Sequence, residues 1–559
     1  MKIDWLRKEI IGNKVKIRTP YGERIAIYLD YTASGRSLSF VEEYLVKVKE
    51  IYANTHTKDN YFGMQTNKLY IDAKNHIREM IKANEDYAII SVGSGTTGAI
   101  HRLTQILGIY EAPATRLNYA RNSLYYSSDK PVIFVSRYEH HSNLLPWKEG
   151  NTEVVEIDLD GNGMLNLRDL EEKINSSKYN SRIKIGAFSA ASNVTGICLP
   201  INDITSIVHR ASGLIFFDFA TSAPYVDIEM INENDYIDGI YFSPHKFIGG
   251  PGSSGILVLR KALYKGLISP TCAGGGTVQY VSSSNYDFVD NIEEREDAGT
   301  PPILQTIRAA IALEIKAKVG CKQIKKKESE YIQTAFKRLL SNENIQIIGP
   351  KTSTNRLGIV SFNIKYKDHY LHPRFVSTLL NDLFGIQGRA GCSCAGPYGH
   401  YLLNIGDEES ELYRRAISQG DKFVKPGWVR VNFHYLMDSN TYDYTIKAIQ
   451  FIADYGYLFL QEYRMDFESG RWIHKEERCS VESFSIQDVI SSERYKFKRH
   501  NPLKNKKLYK KYIKDAYKLK RILEKKRFKY ELYFQGELKE LFWYEASNNM
   551  SHSNLAVNI

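Results

Sequence analysis

The sequence predicts an α/β protein: a large domain with a mostly parallel sheet between helices, a smaller α+β domain, and a basic C-terminal extension. Three observations carry this. Short apolar, β-rich runs alternate with amphipathic stretches through the first three hundred residues. That alternation is the pattern of a parallel sheet covered on both faces. Residues 357–464 mix short strands and helices, as an α+β domain does. From residue 465 onward Tyr, Lys and Arg dominate, Gly is sparse and apolar residues are scattered.

The strands are read in order as YAIISV (87–92), PVIFVS (131–136), IGAFSA (185–190), LIFFDFA (214–220) and GIYFS (239–243). Each is bounded by Gly, Ser, Asn or Pro and reads as buried. Residues 166–174 and 201–211 are amphipathic helical stretches between them. The last strand leads into FIGGPGSSGILVL and a further apolar run. Residues 303–341 read as one long helical region. Segment 504–530 reads either as a basic amphipathic helix or as a poorly ordered arm. The expected units are 1–24 joining the small domain, 25–310 as the large domain, 311–464 as the small domain, and 465–559 as the extension.

The 559 residues are 43% apolar and 25% charged, enough to bury a large core. No run reaches the roughly 18 apolar residues of a membrane span, and the first twenty residues hold no signal-like apolar core. Six cysteines are too few for a disulfide scaffold, so a reduced, cytoplasmic protein is expected. The net charge of +11 is uneven: residues 491–530 hold 17 Lys/Arg against 3 Asp/Glu. The basicity belongs to the extension.

Five local signals carry chemistry. Ser243-Pro244-His245-Lys246 follows an apolar strand, where a desolvated lysine becomes nucleophilic toward an aldehyde. Taken alone it reads more often as a loop lysine. Asp218 ends the apolar run LIFF and needs a cationic partner. The pyridinium nitrogen of pyridoxal-5′-phosphate is such a partner; a helix-capping carboxylate is the bland alternative. Gly93-Ser94-Gly95-Thr96-Thr97 is a strand-to-helix turn able to hold a phosphate, although such turns are also common caps. Glu139-His140-His141 offers an imidazole to stack on a flat ring; no metal site is expected, because no ligand spacing supports one. Arg389-Ala390-Gly391-Cys392-Ser393-Cys394 sets thiols on a glycine-containing loop near an arginine, which favours thiolate.

The order of these pieces resembles the class V aminotransferase family of pyridoxal phosphate enzymes, fold type I, in its cysteine desulfurase and selenocysteine lyase branch. The resemblance covers roughly residues 25–460. It implies that Lys246 holds the cofactor as a Schiff base. Asp218 pairs with the ring nitrogen, His140 stacks on the ring, and Asn193 contacts the ring hydroxyl. Thr96, Thr97, Ser243 and His245 hold the phosphate, with Thr221 beside the cofactor. Thr300 reaches the phosphate of a neighbouring subunit in a homodimer with shared sites. Arg430 clamps the substrate carboxylate, with Arg389 in the same pocket and His56 at its entrance. Cys394 takes the place of the sulfur-accepting cysteine. Three departures stand out: Thr221 replaces a usual Gln, Pro244 a usual Gly, and Cys392 adds a competing thiol. The segments YLDYTASGRSLSF and GCSCAGPYGH also resemble the pyridoxal phosphate domain of molybdenum cofactor sulfurases.

The implied reaction removes sulfur or selenium from a cysteine-type amino acid through a Cys394 persulfide, releasing alanine. A sulfur-acceptor protein is then a partner. The enzymatic rival is a transaminase, epimerase or lyase that leaves both cysteines idle. The non-enzymatic rival is a binding protein acting through the basic extension, whose Lys, Tyr and Phe could meet nucleic acid. The bland reading of that extension is a solvated face, since no RNA-binding motif is visible.

Overall fold

The computed structural model describes the chain apart from residues 14, 94, 115–128, 233–234, 265–268, 467–468, 477–504, 527–540, 542 and 546–559. Ser94, Cys479 and residues 491–504 and 527–530 of the basic segment lie outside the described residues. The chain starts with a helix, Ile3–Glu9, and a hairpin of β1 (Lys16–Thr19) and β2 (Gly22–Ile25), followed by β3 (Ile27–Tyr28).

The large sheet contains β4 (Tyr87–Val92), β5 (Val132–Ser136), β6 (Glu153–Ile157), β7 (Lys184–Ser189), β8 (Leu214–Asp218), β9 (Gly239–Phe242) and β10 (Gly255–Arg260). Their spatial order is β4-β10-β9-β8-β7-β5-β6. All pairings are parallel except those of β10, which runs antiparallel to both β9 and β4. β4, β5, β7 and β9 are buried along their whole length. Continuous apolar runs therefore replace alternation, as expected for a sheet covered on both faces. All five strands read from the sequence are present. The antiparallel β10 is the apolar run after the Gly-rich turn.

The long helical region contains two helices, Ile303–Val319 and Cys321–Leu339. They meet at Gly320, whose φ of +89° a side chain would strain. The small sheet orders β17 (Arg389–Gly391), β18 (Trp428–Asn432), β14 (Ile359–Tyr366), β15 (His369–Leu371) and β21 (Tyr544–Glu545), with β13 (Ile345–Ile347) also on β14. β3 pairs parallel with β16 (Ile386–Gln387), tying the chain start to this part.

The extension is docked, not free, where it is described. β21 adds to the edge of β15. Helix Asn505–Lys525 buries Tyr509, Tyr512, Ala516 and Leu523 in the same apolar core as β14 and β18. Tyr509 stacks on Tyr444 at 4.2 Å. The choice between helix and arm is thus decided by an aromatic face that the small sheet's helices cover. Among the described residues no helix is long and apolar enough to cross a membrane.

Candidate active site

The C-terminal ends of the parallel strands carry the candidate site residues, where open α/β sheets bind their ligands. Ser189, Asp218 and Tyr241 lie side by side on β7, β8 and β9. Asp218 is buried and accepts the Ala220 N–H at 2.7 Å. Burial pushes its carboxyl up to about 6, against the Ala220 bond and the Lys246 charge. Lys246 closes a short 3₁₀ turn, Pro244–Lys246, directly after β9. Desolvation drops its amine to about 8, with Asp218 pulling it up and Arg430 and Arg389 pushing it down. The amine makes no hydrogen bond or ion pair with a described residue. A desolvated amine of this kind is nucleophilic toward an aldehyde.

His140 caps helix His141–Glu149, and its Nδ1 accepts the Ser142 N–H at 3.1 Å. Burial, then the Lys246 charge, lowers the ring to about 3. The imidazole is neutral, and the Ser142 bond leaves its proton on Nε2. Beneath it Glu139 is buried and accepts from Ser136 Oγ at 2.5 Å, Ser189 Oγ at 2.6 Å and Asn143 Nδ2 at 2.5 Å. It staples the ends of β5 and β7 together. Burial nonetheless raises its carboxyl to about 7.

The turn after β4 packs on the lysine loop. Ser243 Oγ accepts the Thr96 N–H at 2.9 Å and lies 2.7 Å from Thr96 Oγ1. Thr97 is exposed in the single chain, and its hydroxyl lies 2.8 Å from Ser142 Oγ. Gly95 has φ +59°, and a Cβ there would fall 2.7 Å from Ser243 Oγ and 3.7 Å from His245 Nε2. Only glycine leaves this hydroxyl and imidazole cradle open. Thr221 is buried three residues beyond Asp218.

The second half of the site comes from the small sheet. Arg389 and Arg430 are direct cross-strand partners on β17 and β18. Arg430 is 2% exposed and donates to Asp30 Oδ1 at 2.7 Å and to the Asn193 carbonyl at 3.0 Å. Arg389 Nη2 lies 3.7 Å from Cys394 Sγ. Ser393 and Cys394 are consecutive left-handed residues, φ +54° and +57°. Each such non-glycine residue costs roughly 1–2 kcal/mol. Three bonds hold that strain: Asn193 Nδ2 to the Ser393 carbonyl at 2.7 Å, His141 N–H to the Cys394 carbonyl at 2.9 Å, and Gly396 N–H to His141 Nε2 at 3.0 Å. Cys392 is half-buried against the large core.

Lys246, Asp218, His140, Asn193, Thr96, Ser243, His245, Arg389, Arg430 and Cys394 thus share one network of bonds and fields. His56 and Thr300 do not enter it within one chain. His56 Nε2 bonds the Gly299 carbonyl at 2.7 Å, and Thr300 Oγ1 accepts from Asn54 at 2.7 Å. Three contributors were not singled out from the sequence: Asp30, His141 as holder of the cysteine loop, and Glu139 as a staple. Glu139 and His141 stood in a noticed motif, and Asp30 in a noticed segment.

The residues fit pyridoxal phosphate. Among the described residues the buried Asn193 Oδ1 has no partner and the Lys246 amine makes no hydrogen bond or ion pair, and only glycine at position 95 leaves the hydroxyl and imidazole cradle open.

An amine, a buried carboxylate and a buried imidazole at the strand ends of the large sheet, with a thiol loop from the small sheet, are the arrangement of a fold type I enzyme. The chain matches the aminotransferase class-V family over residues 27–406, and it belongs to that family. It is 30% identical over 392 residues to a probable cysteine desulfurase of Halalkalibacterium halodurans, covering 69% of this chain and 88% of the relative. A probable cysteine desulfurase of Staphylococcus aureus is 30% identical over 400 residues, 70% of this chain and 88% of the relative. In fold the chain is similar to the apo cysteine desulfurase from Thermococcus onnurineus NA1, with TM-score 0.61, 23% identity, and coverage of 77% of this chain and 95% of that one. Cysteine desulfurase CsdA from Escherichia coli gives TM-score 0.61, 21% identity, and coverage of 80% and 98%.

Proposed function

We propose that this chain is a pyridoxal-phosphate-dependent cysteine desulfurase-like enzyme. One observation carries the reading: a strained loop is bonded to Asn193 and His141 so that Cys394 sits beside Arg389. A bystander thiol needs no such support. The relatives named above support it too.

In this reading Lys246 would hold the cofactor covalently, Asp218 would pair with its ring nitrogen, and His140 would stack on the ring. Asn193 Oδ1 would meet the ring hydroxyl, and Thr96, Thr97, Ser243 and His245 would hold the phosphate, with Thr221 alongside. Bound pyridoxal phosphate supplies an electron sink for charge developed at the substrate α-carbon. Arg430 binds the amino acid carboxylate as a bidentate donor. Lys246, with its amine at about 8, takes and returns the α-proton near neutral pH. The Cys394 thiolate forms a sulfur–sulfur bond as the substrate's carbon–sulfur bond breaks. The electron pair stays on carbon, which takes a proton and leaves as alanine. The sulfur remains on Cys394 as a persulfide for an acceptor protein's thiol. A reducing cytoplasm suits this free thiol.

The working unit in this reading is a homodimer in which Thr300 and His56 serve the neighbouring site. Exposed apolar side chains support it: Tyr61, Phe62 and Met64, and Tyr280, Val281 and Tyr286 on the β11 (Val278–Val281) and β12 (Tyr286–Phe288) hairpin. His56 packs against Gly276, two residues before that hairpin. Such apolar surface marks an interface more often than bare monomer surface.

The test is an absorbance spectrum before and after L-cysteine, with alanine and sulfide assayed together. A Schiff-base band absent in Lys246→Ala, plus stoichiometric alanine, is expected. A band without alanine would move the reading to a transaminase or lyase. No band after added cofactor would end it.

A further inference from the structure

We propose that the outer face of helix Asn505–Lys525 binds the phosphate backbone of a nucleic acid. Lys507, Lys511, Lys514, Lys518, Arg521 and Lys525 follow each other at spacings of four, three, four, three and four residues. At about 3.6 residues per turn these fall on one straight stripe, roughly 27 Å long at about 1.5 Å per residue. All six are exposed, and none forms an ion pair with a described residue. The helix's two carboxylates lie off the stripe, and one of them, Glu524, is taken by Lys520 at 3.1 Å.

The buried face lies opposite. Tyr509, Tyr512, Ala516 and Leu523 anchor it, and the Arg24 guanidinium sits 4.7 Å over the Tyr512 ring. The stripe is therefore rigid and turned to solvent. Like charges three and four apart repel along a helix. This helix forms because packing holds it, and an outside polyanion would relieve the repulsion.

The anchoring also selects the partner. Insertion into a bilayer would need the helix's apolar face, and here that face is already used. A protein interface needs central apolar or aromatic anchors. The large apolar side chains exposed on this helix, Tyr517 and Ile522, flank the stripe on opposite sides and form no cluster. A phosphate backbone asks only for a row of cations, with about eight phosphates of one strand along roughly 27 Å. Lysines on phosphates carry no base readout, so binding is sequence-independent. This inference does not depend on the sulfur chemistry.

The experiment is fluorescence anisotropy of the full-length protein with a labelled RNA duplex and a single strand over a KCl series. For six contacts the logarithm of duplex affinity should fall against log salt with slope of about −5. Lys511→Glu/Lys514→Glu/Lys518→Glu should lower that slope by about 3 and weaken binding at least about 30-fold. Lys322→Glu/Lys325→Glu/Lys326→Glu, an equal charge change on another exposed helix, should stay within about threefold. If circular dichroism shows the first triple variant unfolded, the Lys→Gln triple replaces it. Equal losses in both triples, or no wild-type binding at low salt, would overturn the proposal. So would binding of a polyglutamate probe without RNA, which would assign the stripe to an acidic protein.

Discussion

Arg389 and Arg430 face each other across β17 and β18, half-buried and buried, while Lys507 to Lys525 ride the outside of a helix on the same small-domain core. In the first place two like charges are neighbours in a sheet, an arrangement that costs energy. It persists because Asp30 and the Asn193 carbonyl hold Arg430, and Cys394 sits against Arg389. Each cation has a shaped job and few substitutes. In the second place the cations keep their water, and only their sum and spacing matter. Burial converts charge into geometry; exposure leaves it a field.

The sharpest break of this comparison is at the thiol. Cys394→Ser should lower persulfide formation and reductant-dependent sulfide by at least about 10³-fold. Cys392→Ser should keep most of both, measured in the same alanine and sulfide assay. The reverse pattern would transfer the nucleophile to Cys392. Next comes the buried charge. Asp30→Asn leaves Arg430 without its carboxylate and should cost about 3 kcal/mol in urea unfolding. Lys514→Met, on the exposed stripe, should not measurably change stability.

A smaller effect concerns Lys246 in the cofactor-free protein. Its amine is lowered from 10.5 to about 8, chiefly by burial. The folded state therefore disfavours the charged form. That penalty is present below about pH 8 and fades as pH rises toward 10.5. Over this window the unfolded chain binds the extra proton, so stability relative to Lys246→Met should rise by about 2.5 kcal/mol. Urea unfolding of both proteins at three pH values checks the sign; a falling difference would contradict it. The smallest effect is on the helix anchor. Tyr509→Phe keeps the Tyr444 stack and loses only the hydroxyl's bonds, Thr441 at 3.3 Å and Asn505 at 3.4 Å. It should cost about 0.5 kcal/mol and leave the salt slope of RNA binding unchanged.

The half of the site on the large sheet was legible because each residue ends an apolar run. Asp218 is the last residue of β8 and Lys246 closes the turn after β9, and a polar group at these strand ends must face the crevice. Arg430 was legible only through resemblance, since GWVRVNF alone reads as an ordinary strand. Asp30 was invisible as its counter-ion: 400 residues separate them, and no local pattern marks the pair. His141 likewise bonds Gly396 across 255 residues. His56 was expected at the substrate entrance and Thr300 at the phosphate of a neighbouring subunit; within one chain each bonds the other's loop. The break at Gly320 was missed because periodicity runs through it on both sides.

The sequence by itself determined the strand and helix alternation, the lysine after β9, the carboxylate after β8, the thiol loop and the charge of the extension. These depend on residue type and on spacing within one element, where apolar burial and chain stereochemistry act locally. Only the tertiary structure decided which arginine meets which carboxylate, how Ser393 and Cys394 are held in left-handed turns, and that the basic segment is an anchored helix. Each of those depends on groups far apart in the chain, whose meeting is set by how the two cores pack.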